Sequence, residues 1–187
     1  NMKKILYHGT STKYLDKILK KGLTPRKSLG VKSNWDAESR DDMIYLTSAY
    51  APYFAQACVG SNGGDPLVLE VEVESDNLYP DEDFLEQYLR NKHITKGDIY
   101  ERTKFYKDNL EVFKHYTKKS LNGLGNACHK GIIDPKRIRR YVVLDASKII
   151  MYSDPTITRA NYMLLGHHYN EICSEYIWNT KEVQLNK

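Results

Sequence analysis

Three short blocks hold the residues whose types and spacing could do chemistry. In LYHGTS, residues 6–11, an apolar run closes on His8 and Gly9, with the hydroxyls of Thr10 and Ser11 just beyond. An imidazole offers a donor and an acceptor, and a glycine lets another molecule approach the backbone with no Cβ in the way. That pair suits the holding of a ligand better than the closing of a core strand. In IYLTSAYAPYFA, residues 44–55, Tyr45, Tyr50 and Tyr53 present flat rings that can stack on bases or other aromatic groups. The third block, LGNACHKGIIDPKRI, residues 124–138, holds no acid between 123 and 131. Taken singly, His8 reads equally as a strand-end histidine satisfied by a neighbour, and Tyr45 as a core tyrosine. Their joint occurrence favours a site.

Other chemistries lack their patterns. His167-His168 with Cys173, and Cys128-His129, do not have the spacing of metal ligands, so no metal site is expected. GSNGGDP, residues 60–66, has no following Gly-Lys-Ser/Thr and is no phosphate loop. A Gly-x-Ser-x-Gly nucleophile elbow is absent.

The elements that must position these blocks follow from periodicity. Residues 4–8 read as a strand, and 12–21 as a helix with Tyr14, Leu15, Ile18 and Leu19 on one face, capped by Thr10 or Ser11 and stopped by Gly22. Residues 26–42 are polar and irregular, a surface loop. A strand is expected over 43–48, then a short helix from 49 to 58 that tolerates Pro52 only in its first turn. LVLEVEV, residues 67–73, alternates strictly and predicts a strand whose Glu70 and Glu72 face solvent. YPDEDFLEQYL reads as a turn entering a helix, with Asp81, Glu82 and Asp83 opposing the helix dipole in its first turn. Residues 97–121 are helical and charged, 125–133 a strand, DPKRIRR a turn and 141–146 the last strand. Asp154-Pro155 opens a final helix of about 20 residues carrying Tyr162, Leu165, Tyr169, Ile172 and Tyr176 on one face. The result is one α+β domain over residues 2–180, with 181–187 as a frayed tail.

Composition bounds the partners. The 187 residues, 41% hydrophobic and 28% charged, are enough for a real core and argue against wholesale disorder. A net charge of +4 permits an anionic partner without demanding one. Three cysteines without paired spacing point to reduced thiols and a cytoplasmic location. The apolar run after Lys3-Lys4 stops at Tyr7, too short for a secretory leader, and no run is long enough to cross a membrane.

The three blocks together resemble the ADP-ribosyltransferase fold of the His-Tyr-Glu kind, the group of diphtheria-type toxins, poly(ADP-ribose) polymerases and bacterial DNA-targeting transferase toxins. The resemblance spans roughly residues 4–147. It implies a split β-sheet core with flanking helices, to which the C-terminal helix is an addition. It implies NAD as co-substrate, with His8 on the adenosine-side ribose and the Gly9 backbone near the nicotinamide carboxamide. Thr10 or Ser11 would add a hydroxyl contact. Tyr45 would stack on the nicotinamide, and Tyr50 or, on helix geometry, Tyr53 would close the sandwich. The activity implied is transfer of ADP-ribose to a macromolecule with release of nicotinamide. Nucleic acid, RNA or DNA, is preferred to protein because Arg102, Lys104, Lys107, Lys114, Lys118 and Lys119 crowd the stretch where such enzymes recognise their target.

The departure is at the third block, where Asn126 stands in the place of the family's catalytic glutamate. Either another carboxylate serves, from Glu70, Glu72 or the Asp81-Glu82-Asp83 cluster, or the chain is an NAD- or ADP-ribose-binding module without chemistry. A further alternative on the same fold is NAD-dependent removal of an RNA 2′-phosphate, for which Arg26 and Arg40 are available.

Overall fold

A computed structural model describes residues 2–30, 32–33, 38–48, 50–92, 96–145, 177–179 and 181–186. The chain is α+β: seven strands form one antiparallel sheet in the order β4-β5-β2-β1-β3-β6-β7, with helices packed against it. The central strand β1 is Lys3–Ser11, flanked by β2, Met43–Thr47, and β3, Pro66–Glu74. The outer strands are β4, Leu78–Pro80, β5, Asn126–Lys130, β6, Ile138–Val143, and β7, Gln184–Leu185. No helix among the described residues is long and apolar enough to cross a membrane.

The sheet is joined unequally. β1 and β3 pair along nine residues, from Lys3↔Glu74 to Ser11↔Pro66, whereas β1 and β2 pair at Tyr7↔Thr47. Past that pair, among the described residues, His8–Ser11 are laddered to β3 alone. One face carries a continuous apolar layer of Leu6, Ile44, Leu46, Leu67, Leu69, Val71 and Ala127, closed by Ile18 of α1, Leu15–Lys21. The four-residue α2, Arg26–Leu29, follows it.

Two separate clusters cover the opposite face. Over β1, β3 and β6 lies α3, Ala51–Asn62, whose Ala51 and Ala55 pack with Val68, Val142 and Ile177. Over β2, β4 and β5 lie α4, Glu82–Leu89, and α5, Ile99–Asp108, with Phe84, Leu85, Leu89, Tyr106 and Leu110 closing on Met43 and Cys128. The buried Glu86 ties α4 to α5 by accepting from Arg90 and from Arg102 at 2.9 Å each. Helix α6, Thr117–Gly123, then leads into β5.

Several expectations are corrected. The first strand runs on to Ser11, so His8-Gly9 lies inside a strand and not at its mouth. Helix α3 continues to Asn62, taking in the start of the expected 60–66 loop, and Gly63 stops it. Tyr79 and Pro80, expected as a turn, belong to Leu78–Pro80, which pairs with β5 and forms the sheet edge. Glu70 is buried, because α3 and the Ile177–Trp178 segment cover the face that alternation alone leaves to water. The tail is not frayed at Gln184–Leu185: both pair with β6, and the Asn186 amide donates to Pro135 O and Ile138 O. The helix expected from Asp154, with His167, His168 and Cys173, lies outside the described residues.

Candidate functional site

Where β1 leaves β2, the His8 ring meets the backbone of Tyr45, while the side chains of Tyr45 and Asn126 share the opposite face of the sheet. His8 Nδ1 lies 2.9 Å from Tyr45 O, and since a carbonyl can only accept, the proton sits on Nδ1. Burial lowers the pKa of His8, which keeps the ring neutral and Nε2 an acceptor. The imidazole thus replaces a ladder bond where the two strands separate.

Tyr45 is half-buried at the edge of the α4–α5 cluster. Its phenol donates to the carboxylate of Glu82, 2.8 and 2.7 Å from the two oxygens, and accepts from Arg40 N at 3.0 Å. Burial and the Glu82 charge push the phenol pKa well up. Glu82 is itself buried, and desolvation pushes its carboxyl up to about 7 although the Tyr45 bond pulls it down. Its neighbour Asp81, also buried, is shifted upward by desolvation and then by the charge of Glu82. Asp81 Oδ1 caps α4 by accepting from Asp83 N at 2.8 Å. The acidic first turn therefore does cap the helix, and it also delivers a buried carboxylate to Tyr45.

Asn126 opens β5 directly after Gly125, whose φ of +83° suits a residue without a Cβ. In register Thr47 faces Asn126 and Tyr45 faces Cys128. Cross-strand partners share a face, so Asn126 and Tyr45 are diagonal neighbours on the side covered by α4. The Asn126 backbone carbonyl accepts from Ser120 Oγ at 2.7 Å, and the same hydroxyl accepts from Asp81 N at 3.0 Å, locking strand, helix and acidic turn together. Its side chain is 8% exposed, and Oδ1 has no hydrogen-bond partner among the described residues. A buried acceptor in that state costs about 1–3 kcal/mol and calls for a reason.

The other expected site residues are engaged elsewhere. A Cβ on Gly9 would stand 1.9 Å from Ala51 O and 2.6 Å from Ala55 N, so the glycine is required by the close approach of α3, independently of any ligand. Thr10 Oγ1 is 3.7 Å from Cys58 Sγ, and Ser11 Oγ donates to Gly63 O at 2.5 Å. Ser11 thus ties the end of β1 to the glycine that stops α3, and Thr10 meets Cys58 of that helix. Tyr50 is buried at the start of α3, where burial pushes its phenol up to about 12. Tyr53 is half-buried with its ring 5.6 Å from Phe54.

Glu70 and Glu72, weighed as substitute acids, are occupied. Glu70 accepts from Arg140 at 2.8 Å, and Glu72 pairs with Lys3 and Arg137. Arg40 is held by Asp42 and Glu111, which raise its pKa further, and Arg26 donates to Ser39 O at 2.6 Å. These arginines line a groove of about 470 Å3 with Lys27, Lys32 and Lys107, interspersed with Glu38, Asp41 and Asp108. No group of His, Cys, Asp and Glu among the described residues is placed to hold a metal.

No protein-family model matches the chain, and no curated protein matches it. Among solved structures, EcPltA is similar at 16% identity over 77% of this chain and 78% of that one, with a TM-score of 0.44. A likeness of that degree carries no inference about activity.

Proposed function

We propose that this chain binds NAD where β1 and β2 part and transfers ADP-ribose to a macromolecule, releasing nicotinamide. The observation that carries the reading is Asn126 Oδ1, a buried acceptor without a partner among the described residues, beside Tyr45 and the His8 bond. A ribose hydroxyl is a donor that such an oxygen accepts, and Nε2 of neutral His8 accepts a second. Tyr45 offers a ring face, and its phenol is pinned by Glu82 and Arg40 N so that the ring keeps its orientation. NAD supplies the glycosidic bond to be broken and the leaving group. Asn126 can orient the ribose but brings no charge, and the acid bonded behind the Tyr45 ring is Glu82. It is a positioning residue acting through Tyr45.

Incubation with labelled NAD and single-stranded RNA, DNA or protein tests this directly. The native chain is expected to transfer label, and His8→Ala to lose at least about 100-fold of it, the size of a lost positioning or electrostatic contact. Equal labelling by the two would end the proposal.

A second reading is favoured by the neutrality of Asn126: the chain grips NAD or an ADP-ribosylated ligand without chemistry. Calorimetry would then register NAD binding while nicotinamide release stays at background, and Asn126→Glu would raise release. RNA 2′-phosphate removal is less favoured, since the Arg40 guanidinium already satisfies Asp42 and Glu111.

A further inference from the structure

The cations from α4 to β5 differ in their partners. Arg90 and Arg102 are paired with Glu86, Lys104 with Asp108 and Lys130 with Glu111. Lys92, Lys118 and Lys119 have no carboxylate partner among the described residues, and all three are exposed. Two of these ammoniums gather on one ring. Lys119 Nζ and Lys92 Nζ lie 5.1 and 5.2 Å from the centroid of Tyr88, Lys119 Nζ donates to the exposed Tyr88 hydroxyl at 3.0 Å, and it is also 5.3 Å from the centroid of Tyr116.

Tyr88 is 40% exposed on the outer side of α4, while its ring stacks on buried Phe84, centroids 5.2 Å apart at 17°. Tyr116 flanks it at 5.7 Å. The base of the stack is firm: a Cβ on Gly123 of α6 would stand 2.9 Å from the Phe84 ring, so α6 is pressed onto it. The residues KHYTKK, 114–119, contain no acid to neutralise the patch.

We propose that Tyr88 and Tyr116, with Lys92 and Lys119, form a docking surface for single-stranded nucleic acid. One base extends the Phe84–Tyr88 stack, and the ammoniums swing from the ring to the flanking phosphates. A contact between an exposed ammonium and a ring is weak, whereas stacking one base is worth roughly 5- to 150-fold in affinity, so the exchange favours the base. A duplex keeps its base faces inside its own stack and cannot use Tyr88. An acidic peptide has no π face and would use the lysines alone. From Lys119 the chain reaches Asn126 in seven residues, part helix and part extended, a span of no more than about 16 Å. A strand held here therefore lies close to the proposed site. The assignment rests on the transferase reading only for its role as target recognition; the binding itself needs no NAD.

Fluorescence anisotropy with labelled oligo-dT and oligo-U, without NAD, tests the surface on the full chain. Wild type is expected to bind both, and to bind a duplex of equal length more weakly. Tyr88→Ala should weaken single-strand binding about 10-fold or more, with Tyr88→Phe staying near wild type because the ring remains. Lys119→Gln should lower the salt slope by about 0.7, the contribution of one phosphate contact on a single strand. Circular dichroism on each variant separates lost binding from lost fold. No binding by the native chain, or Tyr88→Ala binding as tightly as Tyr88→Phe, overturns the proposal. Polyglutamate displacing the strand as well as heparin does, with no effect of Tyr88→Ala, overturns it in favour of a general polyanion patch. A native chain that binds the strand but not NAD would refute the transferase reading and leave this surface standing.

Discussion

The two halves of the sheet that meet at Tyr7↔Thr47 treat their polar groups differently. On the β3 side, under α3, the groups sequence reasoning would offer for chemistry have partners: Glu70 with Arg140, Ser11 with Gly63, Thr10 with Cys58. On the β2 side, under α4 and α6, the accounting is incomplete. Asn126 Oδ1 has no partner among the described residues, and burial pushes the Glu82 carboxyl up to about 7 although the Tyr45 phenol bonds it. Folding alone rewards the first arrangement and penalises the second, so the second is where a function must be sought. Residue type does not separate the halves, since each contains a tyrosine and a buried glutamate. Completeness of hydrogen bonding does.

The comparison breaks most readily at Gly9. If the β3 half is a finished structural assembly, Gly9→Ala should destabilise by about 3 kcal/mol or more, because a methyl 1.9 Å from Ala51 O must lift α3 off the sheet. Urea denaturation measures it. A loss below about 0.5 kcal/mol would return Gly9 to the ligand-binding role its sequence position invites.

Next in size is Glu70→Ala, expected to cost about 2–3 kcal/mol by leaving Arg140, which also lies 4.3 Å over the Trp178 ring, without its anion. The matching change on the other side has the opposite sign at neutral pH. Glu82 in the folded chain titrates at about 7, above the ordinary 4.5, so the native state binds its proton more tightly than the unfolded one. That contribution is whole below pH 4.5 and is lost as pH rises through 7. Glu82→Gln should therefore flatten the stability profile over that window and gain on the order of 2 kcal/mol at pH 8, since the amide oxygen still accepts from Tyr45. A profile with the same slope in both proteins would mean that Glu82 titrates as if exposed.

Much of this contrast was legible in the sequence, but unevenly. Strands and helices followed from period and from Gly22, Pro52 and Asp81, because those signals are local. His8 and Tyr45 stand in separate motifs, and the bond from the His8 ring to the Tyr45 backbone has no signal in either. The burial of Glu70 was not legible, since alternation reports one face of a strand and is silent on what later covers the other. The structural need for Gly9 is not legible, because the residue it accommodates, Ala51, is 42 positions away and small enough to leave no signal of its own. Glu82 was among the acids considered, yet the helix dipole explained it so well that its long-range partner could not be inferred. Local sufficiency hid a tertiary role.

The finest test sets two neighbours against each other. Ser120 is fully buried and Asn126 nearly so, and the hydroxyl of one serves the carbonyl of the other. Ser120→Ala should cost about 2 kcal/mol, because Asp81 N and Asn126 O both lose their partner inside the protein. Asn126→Ala removes an acceptor that has no partner among the described residues, so the relief of its desolvation offsets the packing of a few atoms. Its expected effect is within about 1 kcal/mol of zero, tending toward stabilisation. The same variant should lose NAD binding if that oxygen receives a ribose hydroxyl. Thermal melts with and without NAD read both quantities at once, since a bound ligand raises the melting temperature of the native chain and not of the variant. A large loss of stability in Asn126→Ala would mean that the carboxamide is structural, and the contrast between the two halves of the sheet would then lose its sharpest member.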